Sequence, residues 1–257
     1  MALKPHIQGI LAIALLLATA SASGQPLTNQ IFAARAQAAF ALAQKNYLAN
    51  TNSPAAALEL ARTSFDFSEF ATNEPQRAAR AETGIAACRQ ALAHKPNSAP
   101  GHYYLAMNLG KLAQAKAPSL SAYKLVHEVE REFVTAAELD VRFDYAGPAR
   151  GLGELYFQAP GWPFSVGNKR KAHEWLERAV TLAPEYPGNH LNLAEAQWQW
   201  RETDAFATTM KNLETRWPAA KTNFTGEAWE PCWADWNVRR TALRSEFQKT
   251  FKHALGS

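Results

Sequence analysis

The fold of this chain is decided by the stretch Ala172-His-Glu-Trp-Leu176-Glu-Arg-Ala179-Val-Thr-Leu182-Ala-Pro184. The small residues Ala172 and Ala179 lie on one face of a helix, with the large apolar Leu176 between them. A small residue lets two helices cross closely, and a large one fills the space against the next helix. Pro184 ends the helix, because the residue before a proline avoids the α-helical region. The stretch therefore predicts one helix of a packed helical pair.

The same pattern recurs elsewhere in the chain. Pro218 lies 34 residues after Pro184, which is the period of the tetratricopeptide unit, a pair of antiparallel helices. The matching triplets are Phe206, Met210 and Leu213 before Pro218, Gly84, Cys88 and Ala91 before Pro96, and Val129, Phe133 and Ala136 before Val141. The upstream closing residues are 45 and 43 residues apart, so we expect insertions between the two helices of a unit, around 115–121 and 157–168.

These repeats predict an all-α, tetratricopeptide-like helical-repeat solenoid with insertions between repeat helices. We expect one repeat domain over 27–257, because a single helical pair leaves an apolar face that only a neighbouring pair can cover. Its units are expected at about 54–96, 99–141, 144–184 and 187–218, followed by a loop at 218–228 and a capping helix at about 233–255.

Charge and composition limit the classes of function that this chain can have. The chain has 257 residues, 47% of them hydrophobic, which is enough for a substantial core. Its net charge of +4 comes from interspersed charges, and the densest basic cluster is Lys169-Arg170-Lys171. Nucleic acid is therefore not an expected partner, since it calls for a concentrated basic stripe. Catalytic and metal-binding motifs are missing from the sequence, so we expect neither enzymatic activity nor a cofactor.

The N-terminus resembles a secretory signal. Lys4 precedes an apolar run over 10–18, which is too short to span a bilayer, and small residues follow it. We expect a signal peptide over 1–22, cleaved near Ala20-Ser23, and a periplasmic or secreted protein; an uncleaved membrane anchor is the alternative. In an oxidising compartment Cys88 and Cys232 could pair, and two buried thiols are the other interpretation.

Two regions are candidate binding sites. The concave face of such a solenoid is lined by the first helix of each unit, and there it would present Tyr103, Met107, Lys111, Tyr156, Glu195 and Trp198. The alternative is that several of these side chains pack against neighbouring units. The second candidate is the proline- and glycine-rich insertion 159–167, from which Trp162 and Phe164 would project. Burial of Trp162 between helices is the interpretation that its size favours.

The segment Arg150-Gly-Leu-Gly-Glu-Leu-Tyr156, the insertion Ala159-Pro-Gly-Trp-Pro-Phe-Ser-Val-Gly167 and the Ala172 unit together resemble the T-component family associated with TRAP transporters. The resemblance covers about residues 54–218. It implies a periplasmic protein that docks onto a ligand-binding TRAP component and oligomerises around a pore for a hydrophobic ligand. The expected partners are accordingly a protein, such as a periplasmic substrate-binding component, or a small hydrophobic ligand, with a homo-oligomer as a further expectation. An envelope scaffold that oligomerises through its aromatic C-terminal helix is the alternative function.

Overall fold

The structure, a computed structural model, describes residues 27–254, with side chains described from 29 to 249. The predicted signal peptide and its cleavage region lie outside these residues. The described part consists of ten α-helices and a short 3-10 helix at Glu227–Trp229. The helices are α1 (Leu27–Ala49), α2 (Pro54–Ser68), α3 (Glu74–His94), α4 (Ala99–Ala115), α5 (Leu120–Asp140), α6 (Phe143–Gln158), α7 (Lys169–Leu182), α8 (Pro187–Gln199), α9 (Thr203–Asn223) and α10 (Glu230–Ala254). No helix in this range is long and apolar enough to cross a membrane.

The helices pack in chain order as four hairpins: α2–α3, α4–α5, α6–α7 and α8–α9. The second helix of each of the first three hairpins also packs against the first helix of the next. The first helices of the four hairpins contact one another in the series α2, α4, α6 and α8, and we call this series the inner row. Helix α10 packs against α8 at the end of the row. The predicted all-α solenoid is therefore confirmed, and α10 extends the inner row at its C-terminal end.

The positions that define the sequence repeat are the positions that bury the contacts. All twelve residues of the four triplets are buried, from Gly84, Cys88 and Ala91 in α3 to Phe206, Met210 and Leu213 in α9. Gly84 has no room for a side chain, because a Cβ there would collide with Asn108 of α4. The small residues thus allow close helix crossings, as the pattern predicts.

Polar side chains fix where five of the helices begin. Ser53, Asn73, Ser98, Ser119 and Asn168 each stand just before a helix, and each side-chain oxygen accepts a hydrogen bond from the amide three residues later. Such caps satisfy an amide that has no partner inside the helix, which makes the helix start a local property of the sequence.

The prediction of a loop at 218–228 is wrong for its first half, which is helical. Helix α9 continues through Pro218 to Asn223, so Pro218 does not close the fourth unit. The reason is that the apolar stripe does not stop at the proline: Trp217, Ala220 and Phe224 are buried in the same cluster as Met210. Burial of these side chains outweighs the hydrogen bond that the proline cannot donate.

A left-handed turn interrupts the start of α6, and the sequence analysis did not predict it. Asp144, Tyr145 and Ala146 have φ of 49°, 53° and 62°, in the region that non-glycine residues rarely adopt. Buried Arg150 holds the turn by donating to the carbonyl oxygens of Tyr145 (2.9 Å) and Asp144 (3.2 Å). Asn189 of α8 also donates to the Tyr145 carbonyl, at 3.1 Å.

The C-terminal aromatic residues pack within the chain. Trp229 and Trp236 are buried, and Trp236 lies 5.2 Å from the Tyr186 ring, edge to face. Beside Trp229, Glu227 and Glu230 form ion pairs with Arg35 of α1, so the first and last helices meet. Of the two alternatives for the cysteines, the structure shows buried free thiols at Cys88 and Cys232.

Candidate docking loop and the inner helix row

The predicted concave groove is closed along most of the inner row. Tyr103, Met107, Lys111 and Tyr156 are buried, with exposed fractions of 1%, 8%, 4% and 4%. Glu195 and Trp198 are partly buried. The expectation that the groove presents all six side chains is therefore wrong for the first four, because neighbouring units pack over them. Whether any of the six binds a partner remains a prediction.

The buried members of this set are engaged with neighbours. Lys111 forms an ion pair with Glu69 at 2.6 Å and lies over the Phe65 ring. Burial raises the pKa of Glu69, and the adjacent Lys111 ammonium opposes that rise. The Tyr103 hydroxyl donates to Asp144 at 3.0 Å, and burial together with this carboxylate raises the pKa of Tyr103 well above its usual value. These contacts hold the inner row together.

Glu195 belongs to a charged cluster that joins α6, α8 and α10. Arg239 of α10 donates to both Glu195 oxygens at 2.7 Å, to Asp235 at 3.3 Å and to Asn192. Asn192 in turn donates to Glu154 of α6. Burial raises the pKa of Glu154 to about 7, while Arg239 and Arg150 lower it and two neighbouring carboxylates, those of Glu195 and Asp235, raise it further. The cluster thus attaches α10 to the inner row by charge.

The insertion between α6 and α7, residues 159–168, is exposed at its tip, and we call it the aromatic loop. The Trp162 side chain is 89% exposed and that of Phe164 is 71% exposed. The interpretation that Trp162 fills a space between helices is therefore wrong, and the two rings project from the stack as the alternative expected. Large aromatic side chains are mostly buried in folded proteins, and two of them exposed on one loop make this loop a candidate contact surface.

The aromatic loop is braced at its base. The Gly167 amide donates to the Pro160 carbonyl at 2.9 Å, and the Asn168 amide donates to the Tyr156 carbonyl at 2.9 Å. Gly167 is required at its position, because a Cβ would collide with the carbonyl oxygen of Ala159. Prolines and internal hydrogen bonds limit the conformations available to the loop, so the exposed rings are presented in a fixed direction.

The side chains beneath the loop attach it to the second hairpin. The Tyr156 hydroxyl donates to Glu130 of α5 at 2.7 Å, and the Lys171 ammonium lies 4.7 Å from the Tyr156 ring centre. Burial and the Glu130 carboxylate raise the pKa of Tyr156. A cavity of about 240 Å³ lies beside Tyr156 and Trp200. It is smaller than the roughly 300 Å³ at which small-molecule sites begin.

A larger cleft lies between α9 and α10, where the sequence analysis expected no site. Its volume is about 580 Å³, and Met210 and Phe247 contribute apolar walls. Lys211 and Arg244 also line it. The volume falls within the range of small-ligand sites, roughly 300–1,000 Å³.

The sequence analysis missed Arg150, Glu154, Asn192 and Arg239, which organise the buried polar clusters. The helical pattern shows which face of its helix each residue lies on but not which residues it contacts. Their hydrogen-bond partners in other helices are 38 to 47 residues away. Only the packing of successive units brings these groups together. Within the described residues, no group of three or more His, Cys, Asp or Glu side chains is placed to hold a metal ion.

Comparison with known proteins adds little. No protein-family model matches the sequence, and no curated protein is similar to it. Among solved structures the chain is similar to the yeast Tom70 crystal structure, at 12% sequence identity and a TM-score of 0.29. The match covers 91% of this chain and 64% of that chain. At so low a TM-score, the fold assignment depends on the helices of this chain alone.

Proposed function

We propose that this chain is an exported helical-repeat adaptor that binds a protein partner, and that the aromatic loop is its docking element. The observation that carries the proposal is the exposure of Trp162 and Phe164 on a braced loop, while most of the inner row is buried. Stacked helical hairpins commonly serve as binding scaffolds. Rigid aromatic anchors supply much of the binding energy at protein interfaces.

The more specific proposal concerns the setting. The resemblance of 150–184 to the TRAP T-component family, and the signal-like N-terminus, support a periplasmic accessory role in a TRAP-type transport system. In that role the partner is a periplasmic substrate-binding component. The scaffold alternative, oligomerisation through the C-terminal helix, could not use Trp236 as a contact, because this residue is 1% exposed and packs inside the chain.

The test is affinity capture from an envelope extract, with the full chain and its Trp162→Ala/Phe164→Ala double variant as baits. Two anchors of more than about 1 kcal/mol each predict at least a tenfold loss of the captured partner. Val238→Ala is the matched control, since Val238 is as exposed as Phe164, at 71%, but lies on α10. Equal capture by the double variant and the control would exclude the loop as docking element. A partner unrelated to TRAP systems would exclude only the transport setting.

A small hydrophobic ligand is a second candidate, favoured by the cleft between α9 and α10. The side chain of Met210 contributes to its wall, and Lys211 places a cation beside it. Ala207→Arg, at a partly exposed residue that lines the cleft, should abolish retention of any co-purifying ligand, as seen by mass spectrometry of the native protein. Retention of the same ligand by the variant would exclude the cleft.

A further inference from the structure

Three highly exposed large apolar side chains lie along one edge of the stack. The two helices of each hairpin are joined at this edge, by residues 69–73, 116–119, 159–168 and 200–202. Leu120, Trp162 and Phe164 are 82%, 89% and 71% exposed, and all three lie at or next to the joining segments of the second and third hairpins. Because neighbouring hairpins stack side by side, the three side chains point outward from adjacent positions of one edge.

The backbone of the aromatic loop suits an apolar environment. Pro160 and Pro163 have no amide to leave unpaired. The amides of Phe164 and Ser165 donate to the Gly161 carbonyl at 3.1 and 3.3 Å, and that of Gly167 donates to the Pro160 carbonyl. An unpaired amide costs several kcal/mol in hydrocarbon, so internal pairing lowers the cost of inserting this loop.

The segments that carry these three side chains are rich in basic residues. Residues 115–124 and 157–171 together contain five basic residues and no acidic residue: Lys116, Lys124, Lys169, Arg170 and Lys171. Four of the five form ion pairs within the chain, Lys116 with Glu82 at 3.6 Å, Lys169 with Glu202 at 2.9 Å, Arg170 with Glu174 and Lys171 with Glu130, and each of these four basic side chains is at least 40% exposed. Exposed pairs of this kind contribute little, so the cations can bind other anions.

We propose that this edge docks on an anionic lipid surface, with Trp162, Phe164 and Leu120 entering the interface and the basic residues contacting the head groups. The inference keeps the aromatic loop as the docking element of the proposed function but places a lipid surface, in place of the protein partner, at its tip. A tryptophan, a phenylalanine and a leucine carried on two separate connections, with lysines and arginines behind them, match the order of apolar and charged groups at a membrane interface.

A site-specific label tests the proposal in the full chain. Cys88 and Cys232 are buried, so Phe164→Cys can be labelled selectively with an environment-sensitive thiol fluorophore. Val238→Cys is the matched control, because both native side chains are 71% exposed. Vesicles of phosphatidylcholine with about 30% phosphatidylglycerol should shift the emission of the label at 164 to the blue and leave that at 238 unchanged. Pure phosphatidylcholine should give a smaller shift at 164.

A second measurement removes the apolar tips. In the unlabelled chain, Trp162→Ala/Leu120→Ala should lower the partition coefficient onto the anionic vesicles about 30-fold or more, since two inserted side chains of on the order of 1 kcal/mol or more each together contribute about 2 kcal/mol or more. Unchanged emission at 164, or equal shifts at 164 and 238, would overturn the proposal, because binding would then not involve this edge. Loss of a purified protein partner by Trp162→Ala/Phe164→Ala in lipid-free solution, together with no response to vesicles, would place a protein at the loop. That result would support the proposed function and refute the lipid inference.

Discussion

Single buried charges hold the strained and crowded parts of this molecule. Arg150 is 2% exposed and binds two carbonyls of the left-handed turn, together with the side chains of Asn189 and Asp144. A backbone with three successive positive φ values persists only where neighbouring groups determine it strongly. The guanidinium is thus a structural group, because each of its contacts joins parts of the stack.

We expect Arg150→Met to lower the free energy of unfolding by about 3–5 kcal/mol. The variant keeps most of the side-chain volume but leaves Asp144 buried without its guanidinium and the turn carbonyls without their donor. Urea unfolding measures the change. Arg170→Met, at a site 74% exposed, should change stability by less than about 0.5 kcal/mol. A loss of similar size in both variants would contradict the role of Arg150.

Glu154 should make the protein less stable as the pH rises. Its folded-state pKa is about 7, above the ordinary value of 4.5, because burial disfavours the charged carboxylate. The groups that face it are Arg150, Glu195, Asp235 and Arg239. The stabilising contribution is therefore fully present below pH 4.5 and is lost as the pH rises through 7. Allowing for partial solvent access, the loss is about 1–3 kcal/mol.

Glu154→Gln should remove this dependence, because the amide cannot ionise. Urea unfolding at pH 5 and pH 8 should show a smaller difference in the variant than in the unmodified chain, with Glu174→Gln as the exposed control. The same pH slope in all three proteins would show that Glu154 does not titrate as described.

The helices themselves follow from short-range features of the sequence. Small and large residues at fixed offsets predicted the buried triplets. Capping residues such as Ser98 and Asn168 mark where helices begin, although the sequence analysis made no use of them. The turn at 144–146 could not be predicted, because its sequence Asp-Tyr-Ala favours no left-handed conformation and its stabilising partners come from distant helices. The prediction that α9 ends at Pro218 was wrong for the opposite reason. A proline is a strong local signal for a helix end, but burial of Trp217 and Ala220 outweighed it.

Helix α9 should become more stable when its internal proline is removed. Pro218→Ala restores an amide that can donate to the carbonyl of Glu214 four residues earlier. An internal proline costs about 3 kcal/mol, and the greater freedom of the unfolded alanine variant returns up to about 1 kcal/mol. We expect a net gain of about 1–2 kcal/mol in thermal or urea unfolding.

The matched control is Pro54→Ala, where the proline stands at the first turn of α2 and no hydrogen bond is lost. This substitution should leave stability unchanged or slightly lower. A loss of stability in Pro218→Ala would mean that the proline is needed to shape α9.

The whole molecule is a stack whose inner row is covered by its own units and by α10. The sequence predicted the stack but placed Tyr103 and Lys111 on an open groove, because a helical pattern cannot show how tightly successive units curve. The aromatic loop was found from its prolines and glycines, but the exposure of Trp162 was not expected from its size. The surface available for binding is therefore a property of the assembled chain.

Trp236 should be the residue that secures the C-terminal end. It is 1% exposed and contacts the rings of Tyr186 and Phe224. Trp236→Ala should lower the free energy of unfolding by about 3–5 kcal/mol, as for other buried aromatic residues. Val238→Ala, on the exposed side of α10, should change it by less than about 0.5 kcal/mol. A fully stable Trp236→Ala variant with altered light scattering would restore the scaffold alternative.

The hydrogen bonds around the left-handed turn at 144–146, which we call the clamp, also affect how the chain folds. Tyr103, Arg150 and Asn189 come from α4, α6 and α8, so the clamp draws on three successive hairpins. A regular repeat array can nucleate at any unit and grow by one neighbour at a time. Here, by contrast, a nascent polypeptide that has emerged only as far as α7 lacks the Asn189 amide, and the turn must wait for later synthesis. The middle of the chain therefore reaches its folded structure only when all three hairpins are present.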